Sequence, residues 1–234
     1  MNSLNNKTVF ITGGASGIGL ATAQLLLSKG FNVVIYSLDI PQNPEIKSLK
    51  LNGRILFTKG DIRSQKSVHR AMSSAVKKFG SLDVLINNAA VAQNKEFYKT
   101  TPKDWNFIFD ININGTLNVT QEALAIMKKQ HSGIIVNIAS GAGEYGIENL
   151  SLYSMSKAMI INFSQSLADE VKRDKISVVT IAPGSTSTGM FKKLFPGQKA
   201  YHTPQQIAEV IFKAINGTAV PDKRLIVDVF HHIH

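Results

Sequence analysis

The chain has 234 residues, of which 44% are hydrophobic and 18% charged, and this length and composition suffice for one globular domain with a buried core. It contains no cysteine, which excludes disulfides and thiolate metal sites. Because it shows neither an apolar run of about 20 residues nor a signal-peptide pattern, we expect a cytoplasmic protein without a membrane partner. The formal net charge of +10 is carried by basic pairs spread along the chain without interleaved aromatics, so we expect an anionic small molecule as ligand and no nucleic acid.

Seven apolar, β-branched runs alternate with segments of helical period along the chain. The runs are mostly apolar throughout, as expected for strands that are covered on both faces. This order predicts an α/β fold, a doubly wound parallel sheet with helices on both faces, in a single domain over residues 1–234. The predicted strands are Thr8–Thr12, Asn32–Tyr36, Arg54–Thr58, Val84–Asn87, Ile134–Ile138, Ser177–Ile181 and Leu225–Asp228.

The helices between these strands are marked by their capping residues. Serine or threonine before a helical segment, followed in two cases by proline, is typical of a helix start, and glycine is typical of a helix end. The predicted helices are Gly19–Lys29 before Gly30, a helix from Ser64 to Phe79 before Gly80, helices that begin at Thr101-Pro102 and Thr203-Pro204, and Leu152–Lys172.

The glycine-rich stretch "TGGASGIG", Thr12–Gly19, joins the first strand to the first helix. Gly13 permits a tight turn, and Gly17 and Gly19 remove side chains where a pyrophosphate and the packed helix must come close. The helix N-terminus near Ile18 then offers free N–H groups to phosphates. An ordinary glycine turn is the alternative, but the strand before the loop and the helix after it favour a dinucleotide site.

Further motifs follow in order: "GDI", "NNAA", "DININGT", "IVNIASGAG", "YSMSK" and "APGSTST". Together with "TGGASGIG" they resemble the short-chain dehydrogenase/reductase family over nearly the whole chain. The resemblance implies a Rossmann-type sheet in the order 3-2-1-4-5-6-7, an NAD(P)-dependent oxidoreductase that interconverts a carbonyl and an alcohol, and a homo-oligomer, either a dimer or a tetramer. It places four catalytic residues at Asn112, Ser140, Tyr153 and Lys157.

Tyr153 and Lys157 lie four residues apart in a helical segment, so both side chains leave one face of the helix. A nearby ammonium lowers the pKa of a tyrosine from near 10 and so suits it to exchange a proton with a carbonyl or alcohol oxygen. Ser140, just past the fifth strand, can hydrogen-bond that oxygen. By resemblance, Asn112 lies at a helix kink and holds a water in a proton chain to the lysine. The alternatives are an exposed surface pair, a turn serine and an accident of an asparagine-rich stretch.

The resemblance also indicates how the cofactor is held. Members that prefer NAD usually carry an acidic residue at the end of the second strand, where this chain has Ser37, with Asp39 two residues later. Members that prefer NADP usually place a basic residue at positions that are Ser16 and Leu38 here, so we expect NAD(H) over NADP(H). The expected cofactor contacts are Gly13, Ser16, Gly17, Ile18, Gly19, Ser37, Asp39, Asp61, Ile62, Asn88, Ala89, Tyr153, Lys157, Pro183, Gly184, Thr186 and Thr188.

Residues 185–203 are expected to form a loop that covers the substrate. Their apolar side chains suit an apolar substrate, and two lysines add positive charge that favours a 3-oxoacyl thioester on a carrier protein or coenzyme A. Other ketones, steroids, sugars and polyols stay open, and the alternative is a flap that packs its apolar side on the body. The apolar side chains are Met190, Phe191, Leu194 and Phe195, and the lysines are Lys192 and Lys193.

Two other functions compete with an oxidoreductase. A non-catalytic dinucleotide-binding regulator or scaffold is expected to have lost Tyr153, Lys157 or Ser140, and all three are present. A nucleotide-sugar epimerase or dehydratase needs a sugar-binding domain, for which the segment after Gly184 is too short. No metal site is expected, and the terminal "HHIH" is interpreted as a solvated tail. Ala90, where the family usually has glycine, requires a negative φ.

Overall fold

The strands form one parallel sheet in the computed structural model, which describes residues 5–40, 48–49 and 53–233. The strands are β1 (Thr8–Thr12), β2 (Asn32–Ser37), β3 (Ile55–Lys59), β4 (Val84–Asn87), β5 (Gly133–Ile138), β6 (Ile176–Ile181) and β7 (Ile226–Val227). They lie in the order β3-β2-β1-β4-β5-β6-β7, and every neighbouring pair is parallel. The predicted Rossmann-type architecture is therefore confirmed.

Helices cover both faces of this sheet. They are α1 (Gly17–Ser28), α2 (Gln65–Phe79), α3 (Pro102–Phe109), α4 (Thr116–Gln130), α5 (Ser151–Val171), α6 (Gly189–Leu194), α7 (Pro204–Ile215) and α8 (Val229–Ile233). One buried cluster contains side chains of α1 and α7, and a second, on the other face, contains side chains of α2, α4 and α5. Apolar strands covered on both faces thus form two cores with the sheet between them.

The predicted caps start and end the helices as expected. Ser64 accepts a hydrogen bond from Ser67 N at 3.3 Å at the start of α2, and Gly80 ends that helix with a φ of 86°. The hydroxyls of Thr101 and Thr203 cap α3 and α7 in the same way, each within a reciprocal capping box. These local signals act within one turn of the chain, which is why the sequence predicts them.

The C-terminal segment departs from two expectations. The last strand is shorter than predicted because a turn before it, in which Leu225 N donates to Asp222 O at 3.0 Å, occupies its first position. The interpretation of "HHIH" as a solvated tail is wrong for the described residues: Ile233 packs against a buried hydrophobic cluster, and Lys213 Nζ donates to His232 O at 2.8 Å. His234 lies outside the described residues.

The described residues lack two features, a membrane-spanning helix and a cluster of metal ligands. No helix among them is both long enough and apolar enough to cross a membrane. No group of three or more histidine or acidic side chains in the same part of the chain is placed to hold a metal ion.

The strand order determines where a ligand can bind. The chain leaves β1 toward β2 and β3 on one side and then crosses to β4 on the other, so the connections diverge beyond the carboxyl ends of β1 and β4. A cleft opens at such a switch point in doubly wound sheets. The motifs "TGGASGIG" and "NNAA" both begin there, at Thr12 and Asn87.

Candidate active site

A cleft of about 720 Å³ runs along the carboxyl ends of the strands. It is lined by most of the residues that the sequence predicts for cofactor and catalysis. These are Gly13, Ser16, Gly17, Ile18, Ser37, Asp61, Ile62, Asn88, Ala89, Ser140, Tyr153, Lys157, Pro183, Gly184, Thr186 and Thr188. Gly19, Asp39 and Asn112 do not line it, and each acts in another way described below.

The glycine-rich loop has the backbone that the sequence predicts. Gly13 and Gly17 have φ values of 64° and 53°, a region that residues with a side chain rarely adopt. A Cβ at Gly19 would lie 2.5 Å from Gly13 O, so this glycine acts by close packing and not by contact with the cleft. The side chain of Ser16 does not cap α1, which leaves the N–H groups of its first turn directed at the cleft. This geometry fits a pyrophosphate at the start of α1.

Thr12, the last residue of β1, is hydrogen-bonded to the two residues that follow β4. Its hydroxyl accepts hydrogen bonds from Asn88 N and Ala89 N, both at 3.0 Å, and Asn88 Nδ2 donates back to Thr12 O at 2.9 Å. Thr12 opens the glycine motif but is not among the functional residues that the sequence predicts. Ala90, which follows, avoids the left-handed region, as its side chain requires.

Tyr153 and Lys157 stand one turn apart on α5 and face the end of β5. The ammonium of Lys157 is buried, donates a hydrogen bond to Ile138 O at 2.8 Å and lies 5.6 Å from the centre of the Tyr153 ring. Ser140 lies close enough to the Tyr153 hydroxyl to lower its pKa, and all three residues line the cleft. The predicted catalytic serine, tyrosine and lysine are thus brought together by β5 and α5.

Burial dominates the proton affinities of this group. It raises the pKa of Tyr153 above its ordinary value of 10, against the lowering effect of the Ser140 side chain. It lowers the pKa of Lys157 from 10.5 to about 8. The expectation that Lys157 gives the tyrosine a lowered pKa is therefore wrong for the chain by itself, because desolvation of the phenolate outweighs the other effects.

Asn112 lies in a π-helical turn, Asp110–Gly115, between α3 and α4, where the sequence predicts a kink. Its amide accepts from Val91 N at 2.8 Å and donates to Val91 O at 2.9 Å and to Ser156 Oγ at 3.0 Å. Ser156 Oγ in turn donates to Tyr153 O at 2.7 Å. The side chain of Asn112 therefore connects the loop after β4 to the first turn of α5 and does not reach the cleft.

The end of the cleft beyond β2 and β3 is lined by Ser37, Leu38 and Arg63. Arg63 forms a bidentate pair with Asp61, with Nη2 to Oδ2 at 2.6 Å, and this hydrogen bond lowers the pKa of the Asp61 carboxyl. Asp39 instead pairs with Lys59 at 3.0 Å on the surface, and both side chains are largely exposed. Arg63 was missed in the sequence, where it stands two residues after a predicted contact.

Residues of the segment 185–203 line the other end of the cleft. The two ends of this segment are joined by a bridge between Thr186 and His202 and by a hydrogen bond from Ser187 N to His202 O at 2.8 Å. Thr188 caps α6 by accepting from Phe191 N at 3.2 Å. The apolar side chains predicted for this segment face the cleft, while Lys192 and Lys193 are exposed outside it. Further apolar lining that the sequence did not predict comes from Tyr145, Ile147, Leu150 and Tyr201.

A family model for the short chain dehydrogenases matches residues 7–199. Among curated relatives, an uncharacterized oxidoreductase of Staphylococcus aureus (strain N315) is 30% identical over 215 residues, which cover 92% of this chain and 93% of that protein. A 3-oxoacyl-[acyl-carrier-protein] reductase of Thermotoga maritima is 32% identical over 225 residues, 89% of each chain.

Solved structures show the same similarity. A levodione reductase superposes with a TM-score of 0.86 and 25% identity over 98% of both chains. A 3-ketoacyl-(acyl-carrier-protein) reductase from Brucella melitensis, complexed with NADH, superposes with a TM-score of 0.84 and 25% identity over 97% of this chain and 98% of that one.

Proposed function

Because the chain belongs to the short-chain dehydrogenase/reductase family and is an NAD(P)-dependent oxidoreductase, we propose that it interconverts a carbonyl and an alcohol with Tyr153 as general acid and base. The observation that carries this assignment is that Ser140, Tyr153 and the buried Lys157, one helical turn from the tyrosine, line the same cleft. A regulator or scaffold would not need this combination of groups inside a ligand cleft.

The residues have distinct roles in the reaction. The residues that line the cleft beside Tyr153, such as Pro183 and Gly184, would hold the nicotinamide, which would supply the hydride for the carbonyl carbon or take it up from the alcohol. In the reducing direction, the carbonyl π electrons move to oxygen, and the Tyr153 hydroxyl gives its proton to that oxygen. Ser140 donates a hydrogen bond to the same oxygen and holds it beside Tyr153. The positive charge of Lys157 stabilises the tyrosinate that remains until Tyr153 regains a proton.

The same cleft accounts for the cofactor. The N–H groups of α1 would hold the pyrophosphate, while the end beyond β2 would hold the adenosine. The residue pairs at that end support NAD(H) over NADP(H), because Lys59 and Arg63 are each already paired with a carboxylate and a 2′-phosphate would have to displace it. Asp39 acts in this proposal by occupying Lys59 and not by contacting the ribose.

The side chains of the segment 185–203 favour a substrate that has an apolar acyl chain and an anionic carrier. The inner side of this segment presents Met190, Phe191, Leu194 and Phe195 to the cleft, and its outer side presents exposed lysines next to the entrance. A 3-oxoacyl thioester has both an apolar chain and an anionic phosphopantetheine or coenzyme A. The similarity to 3-oxoacyl-[acyl-carrier-protein] reductases supports the same class. We also take the chain to be one domain and to act as a homo-oligomer in the cytoplasm.

The experiment is to follow oxidation of NADH and NADPH with acetoacetyl thioesters and with simple ketones, using the wild type and Tyr153→Phe. Phenylalanine keeps the shape of the side chain but removes its proton, so we expect turnover to fall by at least about 10²-fold while the Kd of the cofactor changes little. Unchanged turnover in Tyr153→Phe would refute the assignment of the general acid. Reduction of simple ketones but not of thioesters would refute the substrate class alone.

A further inference from the structure

The fold gathers basic residues that the sequence spreads along the chain. Strands of a parallel sheet end at the cleft, and each connecting helix runs back, so the helix C-termini collect at the opposite edge. The helices α2, α4 and α5 pack side by side on one face, in one buried cluster. The last turns of α2 and α4 each contain a lysine pair, and three basic residues follow the end of α5. We name this surface the basic end, and it comprises Lys77, Lys78, Lys128, Lys129, Lys172, Arg173 and Lys175.

Few carboxylates offset this charge. Lys128 pairs with Asp174 at 3.1 Å, which also ties the end of α4 to the end of α5, and Lys172 pairs with Asp169 at 3.1 Å. Asp83, at the start of β4 and at the same edge of the sheet, pairs with Lys7 at 2.7 Å, and Glu170 near the end of α5 is exposed. Among the described residues, five of the seven cations of the basic end form no ion pair: Lys77, Lys78, Lys129, Arg173 and Lys175. Of these, Lys78 donates a hydrogen bond to Ile55 O at 2.8 Å.

Cations at helix C-termini also offset the helix dipole, and that role alone would need no partner. Here, however, three helix ends lie next to one another, so their charges add to a single field outside the surface. The basic end is dominated by lysine, and none of the exposed large hydrophobic side chains that the structure describes belongs to the last turns of these helices.

We propose that the basic end binds the surface of a bilayer that carries anionic lipid headgroups. Clusters of four to eight basic residues are attracted to such surfaces, by about 1 kcal/mol for each lysine or arginine near the surface. A single-stranded nucleic acid fits less well, because its bases stack on aromatic side chains and none of the described exposed aromatics lies in the last turns of these helices.

A protein bound to a membrane through its basic end could still turn over its substrate. The cleft opens at the carboxyl ends of the strands, away from the basic end, so cofactor and substrate can exchange while the protein is held on the surface. This inference does not depend on the proposed substrate, because no residue of the basic end lines the cleft.

The test is sedimentation of the protein with vesicles of phosphatidylcholine alone or mixed with phosphatidylglycerol, at low and high salt. We expect binding to the mixed vesicles only, with release at high salt. Lys77→Gln/Lys129→Gln should bind roughly tenfold or more weakly, with unchanged NADH turnover. The matched control is Lys66→Gln/Lys103→Gln, which removes the same charge from the first turns of α2 and α3 and should bind like the wild type.

Three results would overturn the proposal. One is equal binding to vesicles with and without phosphatidylglycerol, or no binding to either. Another is an equal loss of binding in the control variant, which would assign the effect to net charge. The third is tighter retention on duplex DNA than on the anionic vesicles, which would assign the basic end to nucleic acid.

Discussion

Lys157 is an ionisable side chain in a buried site, where desolvation disfavours its charged form. Its side chain is 4% exposed and its ammonium makes one hydrogen bond, to Ile138 O, so little of the hydration that it loses is replaced. This cost explains why burial lowers its pKa to about 8. A buried lysine at the edge of a ligand cleft is more readily explained by chemistry than by stability, because a methionine of similar length would pack there without the cost.

The pH dependence of the unfolding free energy, compared between the wild type and Lys157→Met, tests the cost of burying this charge. In the folded chain Lys157 loses its proton near pH 8, whereas its ordinary pKa is 10.5, so between these values the unfolded chain binds more protons and stability rises with pH. We therefore expect the unfolding free energy of the wild type to rise relative to that of Lys157→Met over this range, by up to about 1.4 kcal/mol per pH unit. Denaturant unfolding at several pH values measures it, with Lys103→Met as control for the loss of a surface charge. A constant difference would contradict the buried-charge argument.

Asp39 is a second residue whose role depends on its partner. If it acts by occupying Lys59, Asp39→Ala should release this lysine to a 2′-phosphate and lower the Kd for NADP(H) roughly two- to fivefold, as expected for an exposed ion pair. The Kd for NAD(H) should change little. Asp39→Ala/Lys59→Ala should return the NADP(H) value to that of the wild type. Weaker NAD(H) binding without a gain for NADP(H) would mean that Asp39 contacts the ribose directly, as the sequence alone suggests.

At the scale of elements, the π-helical turn Asp110–Gly115 links α3 and α4 to the active helix. Asparagine is unfavourable inside a helix, but here its amide satisfies the backbone of Val91 and the hydroxyl of Ser156. The turn thereby fixes the loop after β4 against the first turn of α5, which carries Tyr153. Such π-helical insertions are frequent at functional sites.

Asn112→Ala should therefore cost stability and activity together. It leaves two backbone groups of Val91 without their partner in a largely buried place, which should lower the unfolding free energy by about 2–3 kcal/mol. The control is Asn114→Ala in the same turn, where the side chain is exposed and pairs with Asp110, and a change below about 0.5 kcal/mol is expected. Denaturant unfolding and turnover of both variants provide the measurement, and equal losses would exclude a specific role for Asn112.

At the scale of the whole molecule, exposed apolar side chains indicate where a second copy of the chain could pack. Met155 and Met159 lie one turn apart on α5 and are 47% and 45% exposed, and Trp105 on α3 and Leu117 on α4 are also exposed. Side chains of this size are uncommon on the surface of a monomer when they lie close together. The homo-oligomer stays a prediction from the family, and this face is its candidate interface.

Introducing carboxylates at the exposed methionines of α5 should separate the subunits. We expect the wild type to sediment as an oligomer and Met155→Glu/Met159→Glu to sediment as a smaller species, because the carboxylates would be buried unpaired in the interface. Val220→Glu is the control, since that valine is 77% exposed elsewhere. A monomeric wild type, or equal sedimentation of all three proteins, would remove this face as the interface.

Much of the fold follows from local patterns in the sequence. Seven apolar runs, the glycine turn after β1, and the caps at Ser64, Thr101 and Thr203 each depend on residues within a few positions of one another, and the structure has all of them. The spacing of Tyr153 and Lys157 likewise predicts a shared helix face, since a helix repeats every 3.6 residues. Sequence patterns predict such features because the interactions behind them act within a single element.

The tertiary structure alone decides which elements become neighbours. The partner of Asp39 is Lys59 because β2 and β3 are adjacent, and the desolvation that sets the pKa values of Lys157 and Tyr153 comes from packing α5 against β5. The lysine pairs are scattered in the sequence, but antiparallel packing of helices on parallel strands brings three of them to one end. Burial and long-range pairing depend on the summed packing of distant segments, so no local pattern contains them.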